Sequence, residues 1–107
     1  MRIRTPSLYL GWLPVEIEIG ERTLKMVAGF SVRPQTNEAD AYRYLLALNM
    51  KAPGFSFGMD AESRICLVGR IALDDLDAAA LDAAFGRIVE ITESAVASYL
   101  QLGFGRA

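Results

Sequence analysis

Residues 49–102 run strand, turn, strand and then a capped helix, and that order constrains the fold more than any other feature of the chain. Ile65, Leu67, Gly69, Ile71 and Leu73 alternate with Cys66, Val68, Arg70 and Ala72, a period of two that suits a strand and not a helix. Phe55, Phe57 and Met59 alternate with Ser56 and Gly58 just before, and the polar stretch 60–63 (DAES) supplies the turn between them. The two runs predict a hairpin. Asp77 then stands as an N-cap, with Leu76 before it placed to staple onto Leu81. Leu81, Phe85, Ile88, Ala95, Tyr99 and Leu102, widened by Ala84 and Val96, form one helical stripe. Gly103 and Gly105 are expected to end this helix, leaving a frayed tail.

The first half repeats the same element order without alignable sequence. Val15, Ile17 and Ile19 alternate with Glu16 and Glu18, a strand with one wet face. After the turn Gly20-Glu21-Arg22, Leu24, Met26, Ala28, Phe30 and Val32 alternate with Lys25, Val27, Gly29 and Ser31, which predicts a second strand of a hairpin. Pro34 ends it. Asn37, with Asp40 three residues on, predicts a helix start. Tyr42, Leu45, Leu46 and Asn49 share a face of that helix, which Pro53-Gly54 stops. Asn49, near the helix C-terminus, is expected to bond the last free carbonyls. Residues 1–14, broken by Pro6, Gly11 and Pro14, read as a short strand or an ordered arm. The order β-β-α-β-β-α gives an α+β fold: a two-layer antiparallel sheet with helices on one face. Val27, Cys66 and Val68 fall on the opposite face, which is therefore not uniformly polar and is open to cover by residues 1–14 or by another chain.

A chain of 107 residues makes a single domain, 1–107, that buries about 65% of its unfolded surface without needing disulfides or metal. Its 52% apolar content is high for that size, which suggests that some apolar side chains serve an interface. The net charge of −2 argues against a nucleic-acid binder. It is uneven, at +2 over residues 1–53 and −4 over 54–107. Cys66 stands alone, which excludes a disulfide framework. The first residues lack a signal-peptide apolar region, and no run approaches the roughly 18 apolar residues of a membrane span. The expected location is the cytoplasm, with no membrane partner.

Catalytic groups are scarce. The absence of histidine removes His-dependent triads and His metal sites. Cys66 sits mid-strand with no activating base in the sequence around it, so it reads as a structural thiol. Asp74, Asp75, Asp77 and Asp82 cluster at a helix start, where acidic residues cap and meet the helix dipole; their spacing matches no calcium loop. No glycine pattern forms a phosphate-binding loop. Arg64, Arg70 and Arg87 read as solvated. No catalytic, cofactor-binding or metal-binding residue is therefore assigned, and no cofactor is expected. Tyr9 and Trp12 are among the aromatic residues least committed to a core, and with Val27 and Val68 they are the candidate partner-binding residues.

Four segments in this order, LLALNM (45–50), FGMDAES (57–63), RICLVGRIALDDLD (64–77) and ALDAAFGRIVEITESA (80–95), carry a family resemblance. Across roughly residues 42–100 the chain resembles the YbjN family and the related class I type III secretion chaperones, the CesT-like group. Those families generally begin with an amphipathic helix. Here Pro6, Gly11 and Pro14 make the first fourteen residues a poor helix, so the fold expected is secretion-chaperone-like with the N-terminal helix missing, and the YbjN branch is the better match. The resemblance implies no enzymatic activity and no cofactor. It implies a homodimer that binds an extended polypeptide on apolar grooves.

The leading expectation is thus a non-enzymatic protein- or peptide-binding module, chaperone-like or regulatory. The alternative is a small-molecule-sensing domain with a pocket lined by Met26, Phe30, Phe57 and Met59. A third reading, a metal-dependent hydrolase built on Asp74, Asp75 and Asp77, has only the acidic cluster behind it.

Overall fold

A computed structural model describes residues 2–7 and 11–105, with side chains from residue 13 onward. The elements are β1 (Arg2–Ser7), β2 (Gly11–Ile19), β3 (Thr23–Ser31), α1 (Glu38–Asn49), β4 (Phe55–Met59), β5 (Ile65–Ala72), a 3-10 turn (Leu73–Asp75) and α2 (Ala78–Phe104). The expected order β-β-α-β-β-α is present, preceded by β1. Residues 2–7 are therefore strand, paired antiparallel with the start of β2. The sheet order is β1-β2-β3-β5-β4, antiparallel throughout.

Register fixes the two faces. Val15 lies opposite Ala28, Ala28 opposite Leu67, and Leu67 opposite Phe57. This row and its neighbours, including Leu13, Ile17, Leu24, Met26, Phe30 and Ile65, are buried against the helices. Because side chains alternate, a one-residue slip would expose the whole set, so this pattern holds the register firmly.

α2 is 27 residues, about 40 Å long, and its buried stripe is Ala84, Ile88, Ile91, Thr92, Ala95, Val96, Tyr99 and Gly103. Thr92 is fully buried yet satisfied, since its hydroxyl donates to the Ile88 and Val89 carbonyls at 2.8 and 3.1 Å. Asp77 caps the helix as expected, accepting from the Ala80 N–H at 2.7 Å. The helix runs one residue past Gly103 and closes at Gly105, whose φ of 66° suits a glycine.

Asn37 behaves differently from its sequence reading. It is left-handed (φ 45°) and makes no side-chain cap to α1. Its amide instead donates to the Leu102 carbonyl at 3.2 Å, alongside Thr36. Backbone N–H groups of Gln35 and Thr36 donate to the Gly103 carbonyl, and Pro34 packs where a Gly103 side chain would stand. The β3–α1 connection thus satisfies the orphan carbonyls at the end of α2, which outweighs a local cap.

Met26, Phe30 and Phe57 belong to the core, and Phe30 makes edge-on contacts with Phe57 and Tyr99 at centroid separations of 5.2 and 5.1 Å. Phe30 also borders the cavity described below, whereas Met26 and Phe57 do not. Met59, at the strand end, is 50% exposed.

Candidate binding face

The helix-free face of the sheet carries the candidate site. Val27 on β3 lies directly opposite Val68 on β5, and both are half-buried. Their row continues to Glu16 on β2 and Ser56 on β4. The next row places Cys66 between Gly29 and Gly58. A side chain at Gly58 would meet nothing within 4 Å, so no packing demand keeps this end of the row low. A Cβ at Gly29 would come 3.2 Å from the Pro14 ring. These rows border a shallow trough of about 640 Å³ over β2, β3 and the start of β5, lined by Pro14, Val27, Gly29 and Cys66 together with the charged Glu16, Glu18, Lys25, Asp60 and Arg64.

Charges of both signs frame it. Lys25 pairs with Glu18 at 3.6 Å at one end, which offsets Arg70 directly opposite Lys25 on β5. At the other end the β4–β5 turn is built on Asp60. One of its carboxylate oxygens accepts from the Glu62 and Arg64 backbone N–H groups, and the other from the Arg64 guanidinium, each at 2.9 Å. These bonds, led by the Arg64 backbone N–H, hold the Asp60 carboxyl below the ordinary aspartate value. They also hold Ser63 at φ 64°. The Cys66 thiol is buried, donates weakly to the Arg64 carbonyl, and is pushed up in pKa chiefly by burial, which makes it a poor nucleophile.

Of the four candidate residues, the fold brings Val27 and Val68 together. Tyr9 lies outside the described residues. Trp12 is described by its backbone alone, opposite Pro6. β1 lies beside β2 in the plane of the sheet, so the backbone of residues 2–7 does not cross the Val27–Val68 pair. Gly29, Gly58 and Pro14 were missed by sequence reasoning, although the parity that placed Val27 outside also places Gly29 there.

Among the described residues, no group of three or more His, Cys, Asp or Glu side chains could hold a metal ion. Asp77 is engaged in capping, and Asp74 and Asp75 are exposed in the 3-10 turn. No described helix is long and apolar enough to cross a membrane.

The fold is thus a two-layer α+β domain built on a five-stranded antiparallel sheet. Two solved structures share it: the heterodimeric complex ExoU-SpcU from the type III secretion system of Pseudomonas aeruginosa (TM-score 0.69, 18% identity, covering 89% of this chain and 79% of that one), and the ExsC-ExsE complex (TM-score 0.65, 14% identity, covering 87% and 71%). The YbjN family, described as "Putative bacterial sensory transduction regulator", matches residues 9–101, and the chain belongs to that family. Uncharacterized proteins of Mycobacterium tuberculosis and Mycobacterium leprae are each 33% identical over 88 residues, 82% of this chain. The chain spans about half the length of these curated relatives, 48% in each case.

Proposed function

We propose that this chain is a non-enzymatic polypeptide-binding module, regulatory or chaperone-like. It forms one domain over residues 1–107 and acts as a homodimer in the cytoplasm. The observation that carries the reading is the trough on the helix-free face, which lies open among the described residues. Its apolar floor at Val27 and Cys66, with Val68 beside Val27, can take every second side chain of an extended segment, whose polar side chains then meet the Glu18–Lys25 and Asp60–Arg64 pairs. The two structural neighbours are complexes, one of them named as heterodimeric, which supports a protein partner. Membership of a family described as a regulator supports a role without catalysis.

The test is an array of immobilised peptides probed with the purified protein and with Val27→Asp and Val68→Asp. Both positions are half-buried on a face remote from the core, so circular dichroism should show unchanged folding. The expected result is binding to peptides with alternating apolar residues, weakened at least tenfold by either substitution. Failure of the wild type to bind any peptide, or equal binding by folded variants, overturns the reading.

A further inference from the structure

An edge strand presents N–H and C=O groups that a second chain can extend, and β4 is one edge of this sheet. The register tells which of its groups face outward. Asp60 donates its N–H to the Arg64 carbonyl at 2.9 Å, which makes these two a hydrogen-bonded pair. Such pairs alternate along an antiparallel ladder, and the next ones are Gly58 with Cys66 and Ser56 with Val68. Phe55, Phe57 and Met59 therefore turn their backbone groups away from β5, toward the edge.

Two of these three residues are already engaged by the same chain. Phe55 donates its N–H to the Ala52 carbonyl at 3.0 Å. Phe57, at the middle of the edge, has both groups taken by the Asn49 side chain. An amide side chain carries an acceptor and a donor side by side, the same pair that a residue of an added strand would offer. Asn49 is the last residue of α1, and Gly54, at φ 83°, belongs to the turn that brings the chain back into β4. The opposite edge is blunted by other means. Gly20 donates its N–H to the Thr23 carbonyl, so the hydrogen-bonded pairs of β2 with β3 are Glu18 with Lys25 and Glu16 with Val27. The odd-numbered residues of β2 then face β1, which leaves Arg2, Arg4 and Pro6 on the outer edge of β1, and Pro6 has no N–H to offer there.

We infer that the Asn49 side chain is a plug that closes β4 against strand pairing with β4 of a second copy of this chain. The sequence of β4 makes a plug necessary. FSFGM holds two phenylalanines and a methionine, with no charge and no proline, the composition of an aggregation-prone strand. A two-fold axis at Phe57 would set the two Phe57 peptides against each other, each offering the N–H and C=O that the other needs, with Phe55 of one copy opposite Met59 of the other. Asn49 occupies the central position of that ladder. The usual protections of an edge, a charged side chain or a proline within the strand, are absent from β4, and a residue of the neighbouring helix supplies the protection instead.

Sedimentation velocity over a concentration series, with circular dichroism to check folding, tests this on the wild type, Asn49→Ala, Asn49→Asp, Asp77→Ala and the double variant Asn49→Ala with Met59→Pro. Asn49→Ala is expected to form species of at least twice the wild-type mass. Asn49→Asp keeps an acceptor for the Phe57 N–H and sets a charge at the edge, so it should stay at the wild-type size. Asp77→Ala loses the α2 cap and leaves the edge closed, so it should also stay there, which separates edge pairing from association through lost stability. Met59→Pro removes a donor that faces the edge and none that faces β5, and should abolish the gain. A folded Asn49→Ala that keeps the wild-type size, an equal gain in Asp77→Ala, or a gain that survives Met59→Pro overturns the inference. Hydrogen exchange of the wild type needs no variant: the Phe57 amide should exchange more slowly than that of Met59, and equal rates overturn the plug.

Discussion

Asn49 and Phe57 are joined by two hydrogen bonds that take up the whole outward-facing peptide of the strand residue. The Phe57 N–H donates to Oδ1 at 2.7 Å and the Asn49 Nδ2 donates to the Phe57 carbonyl at 3.3 Å. One side chain thus imitates a neighbouring strand and fastens α1 to β4. The pair is partly buried, so losing the side chain strands an amide and a carbonyl. Asn49→Ala is expected to destabilise the fold by about 2 kcal/mol, read from urea unfolding. Asn49→Asp keeps an acceptor for the amide and loses the donor, so it should fall between the two. An Asn49→Ala protein as stable as wild type would show that water replaces the bonds without cost.

Phe55 lies across Gly69, its cross-strand partner. A Cβ at Gly69 would stand 2.5 and 2.6 Å from two ring carbons, inside any tolerable contact. Gly69→Ala therefore has to displace the ring, at a cost of about 1–3 kcal/mol. Because the obstacle is a side chain and not backbone, Phe55→Ala in the same chain should remove most of that added cost. Thermal unfolding of the two single variants and the double variant checks this. Additive losses would mean the strain comes from the strand backbone.

The sheet was legible because its chemistry is local. Alternation from Val15 to Ile17, Leu24 to Phe30 and Ile65 to Ile71 gives strand and face with no tertiary knowledge, although Ile19 and Val32, assigned to the same inner face, are exposed at the strand ends, and Asp77 marks the start of α2 in the sequence alone. Asn37 and Asn49 were not legible for a common reason. Each was given the nearest local task, a cap or a helix end, whereas each bonds a segment that only the tertiary fold delivers: Leu102 for Asn37, Phe57 for Asn49. The candidate face was half legible. Strand parity found Val27 and Val68, but the trough is also lined by Pro14 and Gly29, which carry no long side chain to announce it. Thr92 lies on the stripe read from sequence, four residues after Ile88 and three before Ala95, and was passed over because its side chain is polar, whereas Ile91 lies on the flank of that stripe.

Capping and metal binding make opposite demands on the acidic cluster. Asp77 holds the Ala80 N–H at 2.7 Å, whereas Asp74 and Asp75 are exposed. Asp77→Ala should cost about 1 kcal/mol, and Asp74→Asn with Asp75→Asn should change stability by no more than about 0.5 kcal/mol, both by urea unfolding. Adding Mg²⁺ or Ca²⁺ to the wild type should leave its unfolding midpoint unmoved. A cation-dependent rise lost in the double Asn variant would revive the metal site.

The pH dependence is set by opposite shifts at the two ends of the scale. Arg33 forms a two-pronged pair with Glu38, at 2.9 and 3.1 Å, and Tyr42 donates to the same carboxylate at 2.7 Å. These bonds, Arg33 foremost, hold the Glu38 carboxyl below its usual 4.5, as the turn holds Asp60 below 3.8. A carboxyl whose pKa is lowered on folding stabilises the fold above the unfolded value, and that contribution disappears as pH falls through the folded one. Both groups sit at the surface, so the acid-side contribution is small and shrinks with salt. Tyr99 is the reverse case: fully buried, donating to the Val32 carbonyl at 3.1 Å, and raised above 10.0 mainly by burial. Above that pH the unfolded phenol loses its proton while the folded one keeps it, so stability declines as pH climbs through 10 and beyond. Tyr99→Phe should cost about 1 kcal/mol near neutral pH and flatten the alkaline decline. Urea midpoints from pH 3 to 11, with Glu38→Gln and Tyr99→Phe beside the wild type, separate the two limbs. An alkaline decline unchanged in Tyr99→Phe would assign it to some other group.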